Sequence, residues 1–293
     1  MSAAFFLAGC GRVEVSVLTY NVAGLPQAFS SVQPETNTPL ISPLLDAYDV
    51  VLVQEDFAYH AALAEHAHHP FQIPAFFAGG ENLEIKNGLS RFSRFPIERH
   101  TARKWVQCHG IMDSLNDCLA PKGFSVAEHL IDLSRTTVAI DIYNLHMEAG
   151  DDPGDRDARA AQIEQLIEAI AERSSLRAII VAGDTNIEDP SDPLFQRLLE
   201  GARLRDVCSE LGCREPERID RVLYRSSRWV EIQPVGWSTP DEFVDEDGNP
   251  LSDHLPVAVE LAISATPVPE EALAHMQDFL DAMRQEQVLT TAE

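Results

Sequence analysis

Hydrophobic and polar positions recur along this chain with two periods, and they mark out its elements. "VEVSVLTYNV" (13–22) alternates as a half-buried strand does, and "DVVLVQE" (49–55) is a continuous apolar run of strand length. "GLSRFS" (88–93), "FSVAEHLIDL" (124–133), "TTVAIDIYNLHM" (136–147) and "RAIIVAGD" (177–184) continue the series. "RIDRVLYR" (218–225), "RWVEIQPV" (228–235) and "HLPVAVELAI" (254–263) complete it. A long helix is predicted over 156–173, where Ile163, Leu166, Ile167 and Ile170 share a face and Glu and Arg take the other. Weaker helical patterns lie near 40–47, 58–67 and 193–200. Many strands with a few helices between them predict an α/β protein whose helices lie outside packed sheets. After about residue 264 "TPVPEE" interrupts the pattern, and 269–287 reads as an acidic helix with a polar tail, an appendage rather than a second domain.

Superimposed on this pattern is a polar residue where an apolar run ends. Asn21 closes "VLTYN", Glu55 closes "VVLVQE", His146 closes "IYNLH", and Asp184 and Asn186 close "IIVAGDTN". Asp220 interrupts "RIDRVL", and Asp253 and His254 open the last strand in "LSDHLPV". Each alone has an ordinary explanation: a turn, a helix cap such as Asp184 ahead of a proline-containing helix, or a hydrogen-bonded core histidine. Together they are chemically coherent, because strand ends are where sheet proteins gather reactive groups. Carboxylate and amide oxygens suit a hard cation such as Mg²⁺ or Mn²⁺. Two histidines can donate to phosphate oxygens or move protons near neutral pH, and an acid such as Asp220 can orient one of them. The chain has no GxSxG elbow, so an activated water is the natural attacker.

Composition narrows the substrate. The 293 residues allow one large domain or two small ones, and 45% hydrophobic with 24% charged residues is ordinary for a globular core. The 22 basic against 47 acidic residues give a net charge of −25, a poor footprint for a polyanion. A bound cation can reverse the sign locally, so a nuclease is disfavoured rather than excluded, and a small or zwitterionic substrate is favoured. Beyond the N-terminus no stretch approaches the roughly 20 apolar residues that span a bilayer. "AAFFLAGC" (3–10) ends in Leu7-Ala8-Gly9-Cys10, which looks like a bacterial lipobox with Cys10 as the lipidated residue. No basic region precedes it, as an export signal requires; a start further upstream would supply one, and a first buried strand is the alternative. Cys108 lies near Cys118 and Cys208 near Cys213, so two local disulfides suit an oxidising compartment, against four reduced buried thiols in a cytosolic enzyme. His66, His68 and His69 in "EHAHHP" read as a solvated helix end before a metal cluster, and Trp105 to Leu119 as a surface loop or a membrane-facing or substrate-shaping one.

Seven segments in order, "LTYNVAGLP", "DVVLVQED", "NGLSRFSRFPI", "YNLHMEAG", "AGDTNIED", "RIDRVLY" and "LSDHLPV", resemble the endonuclease/exonuclease/phosphatase superfamily over about residues 13–263. Residues 1–12 then stand as the signal or lipobox segment and 264–293 as the tail. The resemblance implies a DNase I-like, four-layered α/β sandwich of two packed mixed sheets flanked by helices. "TYNVAGLP" and "DCLAPKGFSVAEHLI" (117–131) look like the neutral sphingomyelinase branch. Carried over, this gives Glu55 as principal metal ligand with Asn21 beside it and Asp253 assisting. Asp184 orients or deprotonates the attacking water, Asn186 holds a phosphate oxygen or metal, and His254, buttressed by Asp220, contacts the phosphate as general base or acid. His146 stabilises the transition state or protonates the leaving group, and Lys122 is a candidate for the substrate face. Thr185 stands where an aromatic residue is common, and Arg221 stands where tyrosine is frequent, as an extra cation for the phosphate. The implied activity is Mg²⁺- or Mn²⁺-dependent hydrolysis of a phosphodiester, with sphingomyelin cleaved to ceramide and phosphocholine by a monomeric, exported enzyme that contacts a membrane surface. Alternatives are a secreted or periplasmic DNase-type endonuclease, another phosphoesterase of the superfamily, and a lipoprotein that keeps the fold only to bind a partner.

Overall fold

Two six-stranded mixed sheets lie face to face in the computed structural model, which describes residues 11–75, 87–110, 118, 121–214 and 218–266. The first sheet contains β1 (Arg12–Asn21), β2 (Val50–Gln54), β3 (Phe71–Ile73), β4 (Ser90–Ser93), β11 (Val230–Ser238) and β12 (Val257–Ala265), in the order β11-β12-β1-β2-β4-β3. The second contains β5 (Ile97–Lys104), β6 (Gly123–Asp132), β7 (Thr137–His146), β8 (Ile179–Asp184), β9 (Arg205–Asp206) and β10 (Asp220–Arg225), in the order β5-β6-β7-β8-β10-β9. The helices are α1 (Pro34–Leu44), α2 (His60–Ala64), α3 (Pro153–Ser174), α4 (Pro193–Ala202) and α5 (Val207–Leu211). Cys10 and the acidic tail expected over 269–287 lie outside the described residues.

The strand alternation sorts side chains into three apolar layers. Val15, Val17, Val50 and Leu52 meet Ile140, Ile142, Ile180 and Val222 between the sheets. Leu18, Tyr20, Val51 and Val53 point the other way, onto Ile41, Leu45 and Leu63 of the α1–α2 layer. Phe124, Tyr143, Leu145 and Val181 pack against Ile163, Leu166 and Leu198 of α3 and α4. The result is the expected helix–sheet–sheet–helix sandwich, with each sheet covered on both faces. At the start of α3, Asp152 and Asp155 form a reciprocal cap ahead of Pro153, and Asp192 caps α4 by accepting from Leu194 N at 2.8 Å.

The hydrophobic pattern does not announce β3, β5 or β9. They are short or edge strands, and β5 is exposed along most of its length, so no run of buried residues marks them. Helix α1 begins ahead of the pattern near 40–47 because Pro34, Pro39 and Pro43 break up its apolar signal. The histidines after α2 are engaged separately, His66 through its backbone N–H to Ser42 Oγ at 2.9 Å. His69 donates to Tyr48 O at 2.8 Å, while His68 binds Asp46 through its backbone and its ring, both at 2.6 Å. They tie the end of that layer to the turn before β2. Both disulfides expected from spacing form, Cys108–Cys118 and Cys208–Cys213.

A buried polar group crosses between the sheets beside the apolar core. Arg91 on β4 donates through Nη1 to Ile142 O at 3.0 Å and to His129 Nε2 at 3.3 Å, and through Nη2 to Ser125 Oγ at 2.8 Å. Arginine can only donate, so His129 accepts at Nε2 and carries its proton on Nδ1, where Ser93 Oγ lies 3.1 Å away. Burial, reinforced by the neighbouring Arg91 charge, holds His129 neutral well below its ordinary pKa. The depressed folded-state value means that this histidine stabilises the fold above the unfolded pKa of about 6.5, and that the contribution is lost as pH falls. We expect His129→Gln, which can accept from Arg91 and donate to Ser93, to flatten that loss by about 2 kcal/mol between pH 6.5 and pH 5. Urea denaturation at a series of pH values measures it, and identical pH slopes for variant and parent would contradict the assignment.

Candidate active site

Strand direction gathers the flagged residues at one rim of the sandwich. Asn21 ends β1 and pairs with Gln54 of the parallel strand β2, so Glu55, the next residue, emerges beside it. His146 and Asp184 end the parallel neighbours β7 and β8 in register, and Asp220 opens the antiparallel strand β10 opposite Asp184. His254 arrives from the segment ahead of β12, where Ser252 Oγ donates to Asn21 O at 2.7 Å and fixes the turn. Two of the gathered site residues hold backbone conformations that L-amino acids seldom adopt, Glu55 at φ 58° and Asn186 at φ 51°. Asparagine tolerates this region well and glutamate poorly, so the surrounding structure holds Glu55 there at a cost. Gly24 of "NVAGLP" allows the fit: its N–H donates to Glu55 O at 3.1 Å, and a Cβ there would lie 2.5 Å from that oxygen.

The Asn21 amide organises the centre. Ala23 N donates to Asn21 Oδ1 at 3.0 Å, which fixes the orientation of the side chain. Its Nδ2 then lies 3.1 Å from Glu55 Oε1, 3.3 Å from Asp184 Oδ2 and 3.3 Å from His254 Nε2. An amide has two hydrogens, and the carboxylates are the stronger acceptors, so both go to Glu55 and Asp184. His254 Nε2 is left facing the site, while its Nδ1 lies 2.8 Å from Asp220 Oδ2. Burial opposes a charge on His254, but the Asp220 hydrogen bond and the charges of Asp220, Asp184 and Asp253 outweigh it and raise its pKa to about 9. His146 moves the other way: burial, then the positive charges of Lys122 and His254, hold it neutral. Its Nε2 lies 3.4 Å from Asp184 Oδ2 and 3.9 Å from Glu55 Oε1.

The carboxylates are short of positive charge. Burial raises Glu55 above its ordinary range despite the Asn21 hydrogen bond and the Lys122 charge. Burial and the nearby Asp220 charge likewise raise Asp184. Asp220 Oδ1 is buried without a hydrogen-bond partner among the described residues, and the ligand atoms of Asp184, Asp220 and His254 lie within 4.8 Å of one another. A hard divalent cation fits this donor set. Because Asp220 occupies His254 Nδ1 and the imidazole favours its charged form, the fit is best at the carboxylate oxygens of Glu55 and Asp184, which the Asn21 amide holds through Nδ2 with its Oδ1 turned to Ala23 N, and the histidine stands beside the cation rather than on it.

Two other expected residues join the rim. Lys122 is buried, and its Nζ lies 3.4 Å from Met147 O, an oxygen that also accepts from Asn186 Nδ2 at 3.1 Å. Asn186 N donates to Asp184 Oδ1 at 2.9 Å, and the cap of the following helix is Asp192, not Asp184. Asp253 is exposed and accepts from Ser31 Oγ at 2.9 Å; it acts on Glu55 and His254 through its charge but stands outside the ligand cluster. Arg221 corrects the expectation of an extra cation at the phosphate. It is fully buried on the opposite face of β10, donates to Glu188 O at 2.6 Å, lies 3.6 Å from Asp206 and stacks on Phe195. The hydrophobic pattern carries no sign of Trp105, whose indole donates to His146 O at 2.7 Å while its backbone N–H donates to Lys122 O at 3.1 Å. Its place at the head of the disulfide-bounded segment is the signal that could have found it.

Comparison with known proteins agrees with this geometry. The profile of the Endonuclease/Exonuclease/phosphatase family matches residues 18–254. A sphingomyelinase of Mycobacterium tuberculosis is 32% identical over 269 residues, covering 84% of this chain and 52% of its own, so the chain spans about half the length of that curated relative. Staphylococcus aureus beta toxin with bound magnesium ions superposes with a TM-score of 0.61 at 16% identity, over 84% of this chain and 99% of the toxin. D. rerio TDP2 complexed with single strand DNA product gives 0.59 at 17% identity, over 85% and 98%. This chain therefore belongs to the endonuclease/exonuclease/phosphatase family.

Proposed function

We propose that the protein is a divalent-metal-dependent phosphodiesterase with a sphingomyelinase-like preference, cleaving sphingomyelin to ceramide and phosphocholine. The observation that carries the reading is the convergence of Glu55, Asp184, Asp220, Asn21, His146 and His254 from both sheets on one rim. Glu55, oriented by Asn21 Nδ2, would hold a Mg²⁺ or Mn²⁺ ion, which would supply Lewis-acid polarisation of a phosphoryl oxygen. Asp184, buried and raised in pKa, orients the attacking water and takes its proton. His254, held by Asp220 in its charged form, donates from Nε2 to the phosphate, and Asn186 supplies a further contact. His146, neutral beside Asp184, is assigned to the transition state or the leaving group. Opposed shifts in neighbouring groups are how one site keeps an acid and a base at the same pH.

The lipid preference has two supports besides the sphingomyelinase relative. The net charge of −25 disfavours a polyanion. Large apolar side chains are also exposed around the rim: Leu255 beside His254 at 53%, Val106 beside Trp105 at 82%, and Phe29, two residues from the Ser31 that binds Asp253, at 78%. A DNase-type endonuclease is the second reading, favoured by the shared fold of the DNA-bound neighbour. Lipobox-like Cys10 and the two disulfides support an exported, lipid-anchored protein.

Purified protein with Mg²⁺ is expected to release phosphocholine from sphingomyelin vesicles and to lose activity to EDTA, with recovery on adding Mg²⁺; rapid plasmid nicking without phosphocholine release would select the nuclease reading. His254→Ala should lower kcat by about 10²–10³ while circular dichroism is unchanged, as for loss of a preorganised donor to transition-state charge. Full activity in that variant would remove the enzyme reading. The double substitution Phe29→Asp, Leu255→Asp should cut turnover on vesicles about tenfold or more while sparing a water-soluble phosphodiester, since these apolar side chains meet the lipid interface rather than the reacting phosphate. Equal losses on both substrates count against interfacial docking. For export, expression from an upstream start should yield a membrane-retained protein that incorporates labelled palmitate, and Cys10→Ser should abolish the label; an unlabelled soluble product refutes the anchor.

A further inference from the structure

On the outer face of the second sheet, where β5 and β6 meet α3, lies a cavity of about 290 Å³. Its floor is apolar, built from Phe124 and Val126 of β6 and Tyr143 of β7. Its walls carry three arginines, Arg99 and Arg103 from the edge strand β5 and Arg173 from the last turn of α3, against one carboxylate, Glu172. Register explains the pairing, since Arg103 lies opposite Phe124 and Thr101 opposite Val126, so these side chains share one face.

The three guanidinium groups are held differently. Arg173 is fixed, donating through Nη1 to Thr101 Oγ1 at 3.1 Å and through Nη2 to Arg99 O at 2.6 Å. Its Nε is buried with no hydrogen-bond partner among the described residues, and the nearest carboxylate oxygen of Asp141 is 3.9 Å away. Arg103 approaches Glu172 no closer than 3.4 Å, and Arg99 approaches Glu128 at 3.5 Å, where Arg177 engages the same Glu128 oxygen more tightly. Distances beyond about 3.2 Å leave donor capacity in both groups. Beneath the floor, Arg91 is fully buried, and its hydrogen bonds go to neutral acceptors. The local excess of positive charge is felt by His100: burial, then Arg91 and Arg173, push its pKa down to about 3. In a chain of net charge −25, three arginines around one apolar floor form a local excess of positive charge.

We propose that this cavity binds a small organic carboxylate, its anion between Arg99, Arg103 and Arg173 and its compact apolar body on Phe124, Val126 and Tyr143. The guanidinium fork matches a carboxylate in two parallel hydrogen bonds, and a ring or short chain satisfies the floor. The volume is at the small end of ligand cavities, which admits an aromatic or short-chain acid and excludes a diacyl lipid. The site shares no residue with the catalytic rim, so it stands or falls independently of the phosphodiesterase reading.

Titration of the full-length protein with benzoate, followed by calorimetry and by saturation-transfer NMR, tests it. Benzoate should saturate with a Kd of order 1 mM or tighter, with benzyl alcohol and inorganic phosphate each at least about tenfold weaker. Arg103→Ala, a change at a half-exposed side chain, and Arg173→Met should each weaken benzoate about tenfold, the first with hydrolysis unchanged. Equal binding of phosphate removes the role of the apolar floor, and equal binding of benzyl alcohol removes that of the arginines; either overturns the assignment. Undiminished affinity in Arg103→Ala, or no saturation by benzoate, overturns it as well.

Discussion

A buried amide pair joins the two halves of this protein just below its functional rim. Gln54 Nε2 of the first sheet donates to Asn144 Oδ1 of the second at 2.7 Å, and Asn144 Nδ2 returns to Val53 O at 2.9 Å and Ser90 O at 3.0 Å. Apolar side chains between sheets hold them together but tolerate small slides, because dispersion and burial are non-directional. A fully satisfied buried polar pair does not tolerate them, since a displacement leaves amide groups without partners or water. Gln54 immediately precedes Glu55, and Asn144 precedes His146 on the same strand, so the pair sets the offset of one sheet's site residues against the other's.

That offset matters because the site is divided between the sheets. Asn21, Glu55 and His254 belong to the first; His146, Asp184 and Asp220 belong to the second. The contacts that define the chemistry, Asn21 with Asp184 and His254 with Asp220, both cross the gap. A slide of about 1 Å would break them, which is a large effect in a catalytic constellation. The same crossing places the buried Asp184 and Asp220 beside the half-buried Glu55 and leaves His254 and Lys122 to balance them, and this deficit is what makes a cation chemically appropriate there.

Much of this is legible in the chain because parallel strands carry their functional groups at their ends, and a polar residue closing an apolar run is visible without a structure. Asn21, Glu55, His146 and Asp184 announce themselves in this way, whereas Asp220 opens an antiparallel strand and is marked only as a carboxylate inside an apolar run. What the pattern hides has particular causes. Strand β5 alternates little, since an edge strand has one neighbour and little burial, yet it carries Arg99 and Arg103. Arg221 looks like a site residue for its position beside Asp220, but consecutive strand residues point to opposite faces, so the two cannot both reach the rim. Asp253 and Trp105 lie on loops, where no period tells which way a side chain turns; the first faces solvent and Ser31, and the second reaches back to His146 O.

The charge count acquires a sharper meaning once burial is known. Of the 22 basic residues, Arg91, Arg159 and Arg221 are fully buried and Lys122 is buried at the rim. Arg159 spends its donors on Glu148 O and Gly150 O, Arg221 on Ile187 O and Glu188 O. These cations donate to interior carbonyls instead of standing at the surface, where a polyanion could reach them. The interior also takes carboxylates, among them Asp56, Asp141, Asp155, Asp206, Glu128 and Glu148, so the exposed surface keeps the acidic balance of the composition and a polyanion meets net repulsion. A zwitterionic head group in a neutral interface carries no net charge into that field, and the exposed Phe29, Val106 and Leu255 give such an interface something to bind. Under the proposed lipid preference, net charge and exposed apolar side chains act together, and both lie apart from the groups that face the reacting phosphorus.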